Sequence, residues 1–158
     1  MERGNMSLLN IGCGNCFHRE WVNIDVKSNN PNVIEHNILK GLPFSDKKFD
    51  AVYSSHLLEH IDPEQGLAFL REAFRVLKKG GIARIVVPDL ETIARLYLEK
   101  LDISTKGDKS ALHDYNWIKL ELLDQVARSR PGGMMLRYLI DPEIANRDFV
   151  LSRIGKEA

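Results

Sequence analysis

The chain is short of cysteine, of long apolar runs and of any excess charge, and each shortage removes a class of protein. Two cysteines among 158 residues do not make the framework of a disulfide-stapled fold. No apolar stretch approaches the roughly 20 residues that a bilayer-spanning helix requires, so no membrane partner is expected. Lysine plus arginine number 22 and aspartate plus glutamate also number 22. Such a balance lacks the clustered positive charge on which nucleic-acid affinity rests, and no nucleic-acid partner is expected. Met1-Glu2-Arg3-Gly4-Asn5 leads straight into a strand signal with no apolar targeting region, which points to the cytoplasm. A Gly-Lys-Ser/Thr triplet is missing as well, and with it the P-loop. Neither repeats nor low-complexity segments interrupt the sequence.

What remains is an ordinary globular composition, 44% apolar and 28% charged, and a length that suits a single domain with its own core. The most informative stretch is Leu8-Leu9-Asn10-Ile11-Gly12-Cys13-Gly14-Asn15. A short apolar run breaking into Gly-x-Gly reads as a buried strand that ends in a glycine turn. Glycine belongs where the backbone takes positive φ or where a ligand approaches with no Cβ in the way. Trp21-Val22-Asn23-Ile24-Asp25 then reads as an alternating strand finishing on a carboxylate. A glycine turn after one strand and an acid at the tip of the next suit a ribose-bearing ligand. The dinucleotide fingerprint would need a third glycine at position 17, where Phe17 stands, so nicotinamide and flavin dinucleotides are disfavoured.

The first half of the chain has no room for crossover helices. Only Gly12 to Glu20 separates the first two strands, and Val26 to Asn32 is a polar turn before a short third strand, Val33-Ile34-Glu35-His36. The second half is more regular. Phe49 to Tyr53 reads as a strand closed by Ser54-Ser55, followed by a short helix through Leu57, Leu58 and Ile61. Asp62, Pro63 and Gln65 then have the spacing of a capped helix start. Leu67, Leu70, Phe74 and Leu77 recur at helical spacing and mark the expected buried face. Lys78-Lys79-Gly80-Gly81 has the character of a helix end, and Ile82 to Val87 is the fifth strand, stopped by Pro88. Asp89 is placed to cap a helix carrying Ile93, Leu96, Tyr97 and Leu101. Asp102 to Ser110 reads as a polar loop, and a helix is expected over about 114–128, with Ile118, Leu122 and Val126 on one face and a break at Ser129 to Gly133. Met134 to Leu139 and Phe149 to Ile154 read equally as short helices or strands. Alternating strands and helices after a glycine turn predict an α/β, Rossmann-like, mostly parallel sheet. One domain over 1–158 is expected, with a core over 1–101 and a loop and helical cap over 102–158.

Together these blocks resemble the class I S-adenosylmethionine-dependent methyltransferases of the small bacterial type. The resemblance rests on LNIGCGN, WVNIDV, GLPFSDKKFDAVYSSHLLEHI and FLREAFRVLKKGGIARIVVPDLE and covers about residues 7–100. It implies S-adenosylmethionine as cofactor, with Gly12, Cys13 and Gly14, and Asn15 beside them, as the turn under its methionine part. It further implies Asp25 on the ribose hydroxyls, Asn37 and Ile38 at the adenine, and Ser54, Ser55 and His56 along the cofactor. Asn37 stands where the family commonly has aspartate. Proteins of this type are associated with bacterial surface polysaccharides, which implies a small-molecule or saccharide acceptor. The family usually adds two strands after the fifth. No such pair is legible here, and a bare edge would need a helical cover, which is the expectation, or a second copy, which would make the protein a homodimer.

A sulfonium is already a good leaving group, so the protein's main task in such a reaction is to align the acceptor. A hydroxyl acceptor also needs a base, for which His56, His60 and Asp89 are the candidates. Two other readings stand beside this one: a non-catalytic protein that keeps the cofactor pocket, and a dithiol oxidoreductase built on Cys13-Gly14-Asn15-Cys16. The latter motif normally opens a long helix whose dipole lowers the thiol pKa, and none fits before Trp21. A zinc site would need a second pair of ligands that is not in the sequence, so no metal is expected.

Overall fold

The computed structural model describes residues 6–127 and 133–155. They divide into two compact units, Met1–Pro88 and Asp89–Ala158. The first carries a five-stranded sheet in the order β3-β2-β1-β4-β5, built from β1 (Leu8–Ile11), β2 (Val22–Asp25), β3 (Val33–Glu35), β4 (Phe49–Ser55) and β5 (Leu77–Val86). Every pairing is parallel, so the expected α/β, Rossmann-like sheet is present. The core collects on one face, where Leu9, Ile11, Ile24, Phe49 and Val52 meet Phe69, Ala73 and Val76.

Parallel neighbours need a crossover, and no helix supplies one in the first half. Two buried amides hold the β1–β2 connection instead. Asn10 gives its Nδ2 to the carbonyl of Cys16 at 3.2 Å, and Asn23 gives its Nδ2 to the carbonyls of His18 and Trp21, both at 2.9 Å. A buried amide left unpaired costs about 1–3 kcal/mol, so these side chains fix the path of an irregular segment that has no internal ladder.

The second half departs from the sequence pattern in three ways. Helix α1 (Pro63–Val76) has proline in its first turn, but Asp62 makes no side-chain cap. Its buried residues are Gly66, Phe69, Ala73 and Val76, whereas Leu67, Leu70 and Phe74 are exposed, Phe74 by 78%. The two stripes have nearly the same periodicity, and the sequence pattern favours the larger side chains. Packing selects the stripe with a small residue, Gly66, where a Cβ would lie 3.3 Å from Leu58 Cδ1. The helix also stops at Val76, and Leu77 already pairs with Phe49 as the first residue of β5. Lys78 to Gly81 therefore do not end the helix. They form an irregularity in the ladder, with Ile82 resuming opposite Ala51, and Lys78 is held by Asp50 at 2.8 Å. The short helix expected at Leu57 is a single 3₁₀ turn over Leu58–His60.

One ionic cluster joins α1 to the loop before β4. Arg75 donates to Glu72 Oε1 at 2.7 Å, to the carbonyls of Phe44 and Leu42 at 2.8 and 3.0 Å, and to Asp46 at 2.7 Å. Glu72 in turn accepts the Leu42 N–H at 2.8 Å. Gly41 sits at φ +87°, and a Cβ there would come within 3.2 Å of the Glu72 carboxylate, which explains the glycine.

The second unit is helical: α2 (Leu90–Thr105), α3 (Lys109–Ala127), α4 (Gly133–Leu139) and α5 (Arg147–Ile154). Asp89 caps α2 through Thr92, as the sequence leads one to expect. The polar stretch from Asp102 is mostly not a loop. Its first residues finish α2, and Asp108 accepts the Ser110 and Ala111 N–H groups to start α3 earlier than expected. Trp117, Ile118, Ile93 and Val150 form this unit's core, with Leu122 against it. Both ambiguous C-terminal stretches are helical; of the break expected at Ser129 to Gly133, Gly133 is the first residue of α4 and the rest lies outside the described residues. Within this unit α2 packs along α3, Tyr97 lying 5.4 Å from Tyr115. Among the described residues no helix is long and apolar enough to cross a membrane.

Phe69→Ala should lower the free energy of unfolding by about 3–5 kcal/mol, and Phe74→Ala by less than about 0.5 kcal/mol, by urea denaturation; equal losses would show the buried face to be misassigned. The Arg75 guanidinium holds the Glu72 carboxyl down at about 2, from the ordinary 4.5. Because the folded state binds that proton more weakly, the contribution is complete above about pH 4.5 and fades as the pH falls toward 2. Stability should therefore decline less steeply across that window in Glu72→Gln than in the unsubstituted protein, and parallel curves would contradict the assignment.

Candidate functional site

In the order β3-β2-β1-β4-β5 the connections reverse direction between β1 and β4. The crevice outside the carboxyl ends of the strands at such a reversal is where open α/β sheets hold ligands. The sequence places Gly12 to Asn15 at the end of β1 and Ser54 to His56 at the end of β4, on the two sides of that point.

The glycine turn is set by backbone geometry. Gly12 and Gly14 have φ of +69° and +53°, a region that other residues enter only at a cost. The Gly12 N–H returns to the Ile24 carbonyl at 2.8 Å, and a Cβ on Gly12 would lie 2.9 Å from Leu57 Cδ2. A Cβ on Gly14 would meet nothing within 4 Å, so its main chain faces open space. Asp25 leans across from the neighbouring strand: its Oδ2 accepts the Gly14 N–H at 2.8 Å, and its Oδ1 lies 3.4 Å from the Lys27 N–H. A carboxylate can accept about four hydrogen bonds, which leaves capacity on both oxygens.

The remaining candidates take varied positions. Asn37 caps the 3₁₀ turn Ile38–Lys40 by accepting the Leu39 N–H at 3.0 Å. Ile38 is buried in the sheet core, so its side chain serves packing, and its carbonyl accepts the Gly41 N–H at 3.1 Å. Ser54 is 1% exposed, and its Oγ has no hydrogen-bond partner among the described residues. A buried hydroxyl without a partner at a strand's carboxyl end leaves a donor and acceptor for a bound molecule. Ser55 ends β4, and His56 follows at φ +52°, its N–H on the Val86 carbonyl at 3.0 Å and its Nδ1 3.1 Å from Glu59 Oε1.

The three candidate bases are not equivalent. Asp89 belongs to the helical unit, where its carboxylate accepts from the Thr92 N–H at 3.1 Å and the Thr92 hydroxyl at 2.7 Å. The Thr92 hydroxyl and amide hold that carboxyl below the usual carboxylate range, which suits a cap better than a base. His60 closes the 3₁₀ turn, its N–H on the Leu57 carbonyl at 3.0 Å. His56 stands directly beyond β4, with the Glu59 carboxylate on its ring. Glu59 is not among the candidates that the sequence offers, although it stands three residues after His56 and meets its ring. A cavity of about 530 Å³ bordered by Gly14, Asn15, Phe17, Lys27 and Ser28 was also missed, because Val26 to Asn32 reads only as a polar connection. Among the described residues no cluster of three or more acidic, histidine or cysteine side chains could hold a metal ion.

Residues 9–85 match the family described as "Methyltransferase domain", and all of them lie in the sheet-bearing unit. The chain is 30% identical over 78 residues to elongation factor P of Lachnoclostridium phytofermentans, an alignment spanning 49% of this chain and 41% of that protein. It is 47% identical over 49 residues to "Probable methyltransferase ltbC" of Aspergillus luteorubrus, spanning 30% of this chain and 17% of that protein. Among solved structures it is similar to a chain of the complex that contains the Haloferax volcanii Trm112 methyltransferase activator. That likeness has a TM-score of 0.39 and 18% identity, over 51% of this chain and 44% of that one. The chain thus spans less than half the length of each of these relatives.

Cys13 has the wrong electrostatics for the reactive thiol of a redox dithiol. Cys13 is buried and Cys16 exposed, and no disulfide joins them. Burial, and then the negative charge of Asp25, push the Cys13 thiol up from 9.0 to about 11, where a reactive thiol needs the opposite shift. In a Cys16→Ser variant, alkylation of Cys13 by iodoacetamide at about pH 8 should run on the order of a hundredfold slower than that of a small-molecule thiol of ordinary pKa. A comparable or faster rate would restore the oxidoreductase reading.

Proposed function

We propose that this protein binds S-adenosylmethionine across the carboxyl ends of β1, β2 and β4 and transfers its methyl group to a small-molecule or saccharide-type acceptor. The observation that carries the reading is the Asp25 carboxylate fastened to the Gly14 N–H at 2.8 Å. That bond brings an acid and a bare glycine main chain together at the tips of adjacent strands. The methyltransferase-domain match over residues 9–85 supports it.

The residues suit the ligand part by part. Asp25 has acceptor capacity left for ribose hydroxyls. Open space over Gly14 lets the methionine part approach the main chain. Asn37 keeps an amide group beside the turn where adenine would rest, and the Ser54 hydroxyl supplies a polar group without a partner of its own. When bound, S-adenosylmethionine supplies a methyl group on a positively charged sulfur that leaves as a neutral thioether. The protein then has to hold the acceptor in line with that methyl group, and orientation of this kind contributes roughly 7–11 kcal/mol in favourable cases.

Titration calorimetry with S-adenosylhomocysteine tests the proposal. The unsubstituted protein should bind, and Asp25→Ala should weaken binding at least about tenfold, the loss of one to two charge-assisted hydrogen bonds. Equal affinity in the two proteins would remove the ribose role of Asp25.

A further inference from the structure

We infer that His56 and Glu59 act as a pair in which Glu59 positions the His56 imidazole to take the proton of a hydroxyl-bearing acceptor. The inference rests on the methyl-transfer reading above and adds the acceptor's chemical class.

Three features of one short segment lead to it. The first is backbone strain: His56 occupies φ +52°, where glycine or asparagine would satisfy a turn more easily. A residue held there at the edge of a ligand crevice is the pattern of a side chain kept for its chemistry. Its N–H is tied to the Val86 carbonyl at 3.0 Å, so the strain is held by the end of β5 rather than by the loop itself.

The second feature is the ring's hydrogen bond. Glu59 Oε1 lies 3.1 Å from Nδ1, and an ionised carboxylate only accepts. In the neutral ring this contact places the proton on Nδ1 and leaves a lone pair on Nε2. That is the tautomer a general base needs.

The third is unequal exposure. The His56 side chain is 57% exposed and the Glu59 side chain 18%, although the Glu59 residue as a whole, main chain included, is exposed. An open ring backed by a sheltered carboxylate lets an acceptor reach Nε2 while the Nδ1 bond persists.

The acceptor class follows from what a base is for. Carboxylates and neutral amines present a lone pair to the methyl group with no proton to remove, whereas an alcohol or phenol must lose one. In the step, the acceptor oxygen forms the bond to the methyl carbon as the carbon–sulfur bond breaks. The electron pair of that bond stays on sulfur, giving neutral S-adenosylhomocysteine. The hydroxyl proton passes to His56 Nε2, and the resulting imidazolium, facing the Glu59 carboxylate, later gives it to water. The positive charge lost by sulfur thus appears on the imidazole and leaves as a proton.

Two measurements test the pair. Long-range nitrogen–proton NMR at a pH where the ring is neutral reads the tautomer with no acceptor present. It should show Nδ1–H in the unsubstituted protein and a shift toward Nε2–H in Glu59→Gln. Release of S-adenosylhomocysteine is then followed with catechol and a methyl glycoside as hydroxyl probes, and with benzoate and benzylamine as probes that need no base. Transfer should be confined to a hydroxyl probe. His56→Gly, which suits the left-handed backbone, should lower kcat by about a hundredfold or more, and Glu59→Gln by about tenfold with KM little changed. An Nε2–H ring in the unsubstituted protein, undiminished kcat in these variants, or transfer to benzoate or benzylamine alone would each overturn the inference, and transfer to neither hydroxyl probe counts against the acceptor class. Failure of the unsubstituted protein to bind S-adenosylhomocysteine would instead sink the methyl-transfer reading beneath it.

Discussion

A single hydrogen bond between strand ends, from the Gly14 N–H to the Asp25 carboxylate, sets the character of the site. It exists because β1 and β2 are parallel neighbours, in a register that sets Ile11 beside Ile24. Asp25, one residue beyond Ile24, therefore stands level with the turn that leaves β1. Positive φ at Gly12 and Gly14 folds that turn back over the strand ends. A residue with a Cβ at position 12 would be strained at that positive φ and would also crowd Leu57. Sheet register, glycine geometry and the placement of one carboxylate are thus one constraint.

The rest of the sheet-bearing unit protects that constraint with unusually little helix. Larger α/β sheets fix the geometry of their strand ends with crossover helices. Here Asn10 and Asn23 bind the connecting main chain directly, and the Glu72–Arg75 cluster grips the loop that leads into β4. Buried or half-buried polar side chains do with a few directed bonds what a helix would do with a packed face. The arrangement leaves the turn after β4 short and tightly held. There the left-handed His56, fixed by its N–H bond to Val86, holds its ring beside Glu59.

Much of this was legible in the sequence, and the failures have physical causes. The five strands, the parallel sheet, the glycine turn and the acid at the tip of β2 follow from local patterns with little competition. An apolar run ending in Gly-x-Gly has few other solutions. Leu67, Leu70 and Phe74 share the periodicity of the buried Gly66, Phe69, Ala73 and Val76; packing against the sheet core and the 3₁₀ turn at Leu58 decides between them. Lys78 to Gly81 carry every sign of a helix end, yet Leu77 gains more by pairing with Phe49 than by extending the helix. The early start of α3 comes from Asp108, a cap hidden in a stretch read as loop. Glu59 escaped notice for a similar reason: its meaning depends on the φ of His56, which no residue pattern announces. The cavity beside Lys27 lies between two connections, and its shape is a product of their paths rather than of either sequence.

The central claim is that the ribose of the methyl donor is held by the carboxylate already fastened to the glycine turn. A crystal structure of the protein with S-adenosylhomocysteine tests it most directly. The account predicts at least one ribose hydroxyl oxygen within about 2.5–3.0 Å of an Asp25 carboxylate oxygen, with the ligand's sulfur end over Gly12 to Gly14. A ligand seated elsewhere, with both Asp25 oxygens still occupied only by main-chain N–H groups, would contradict it.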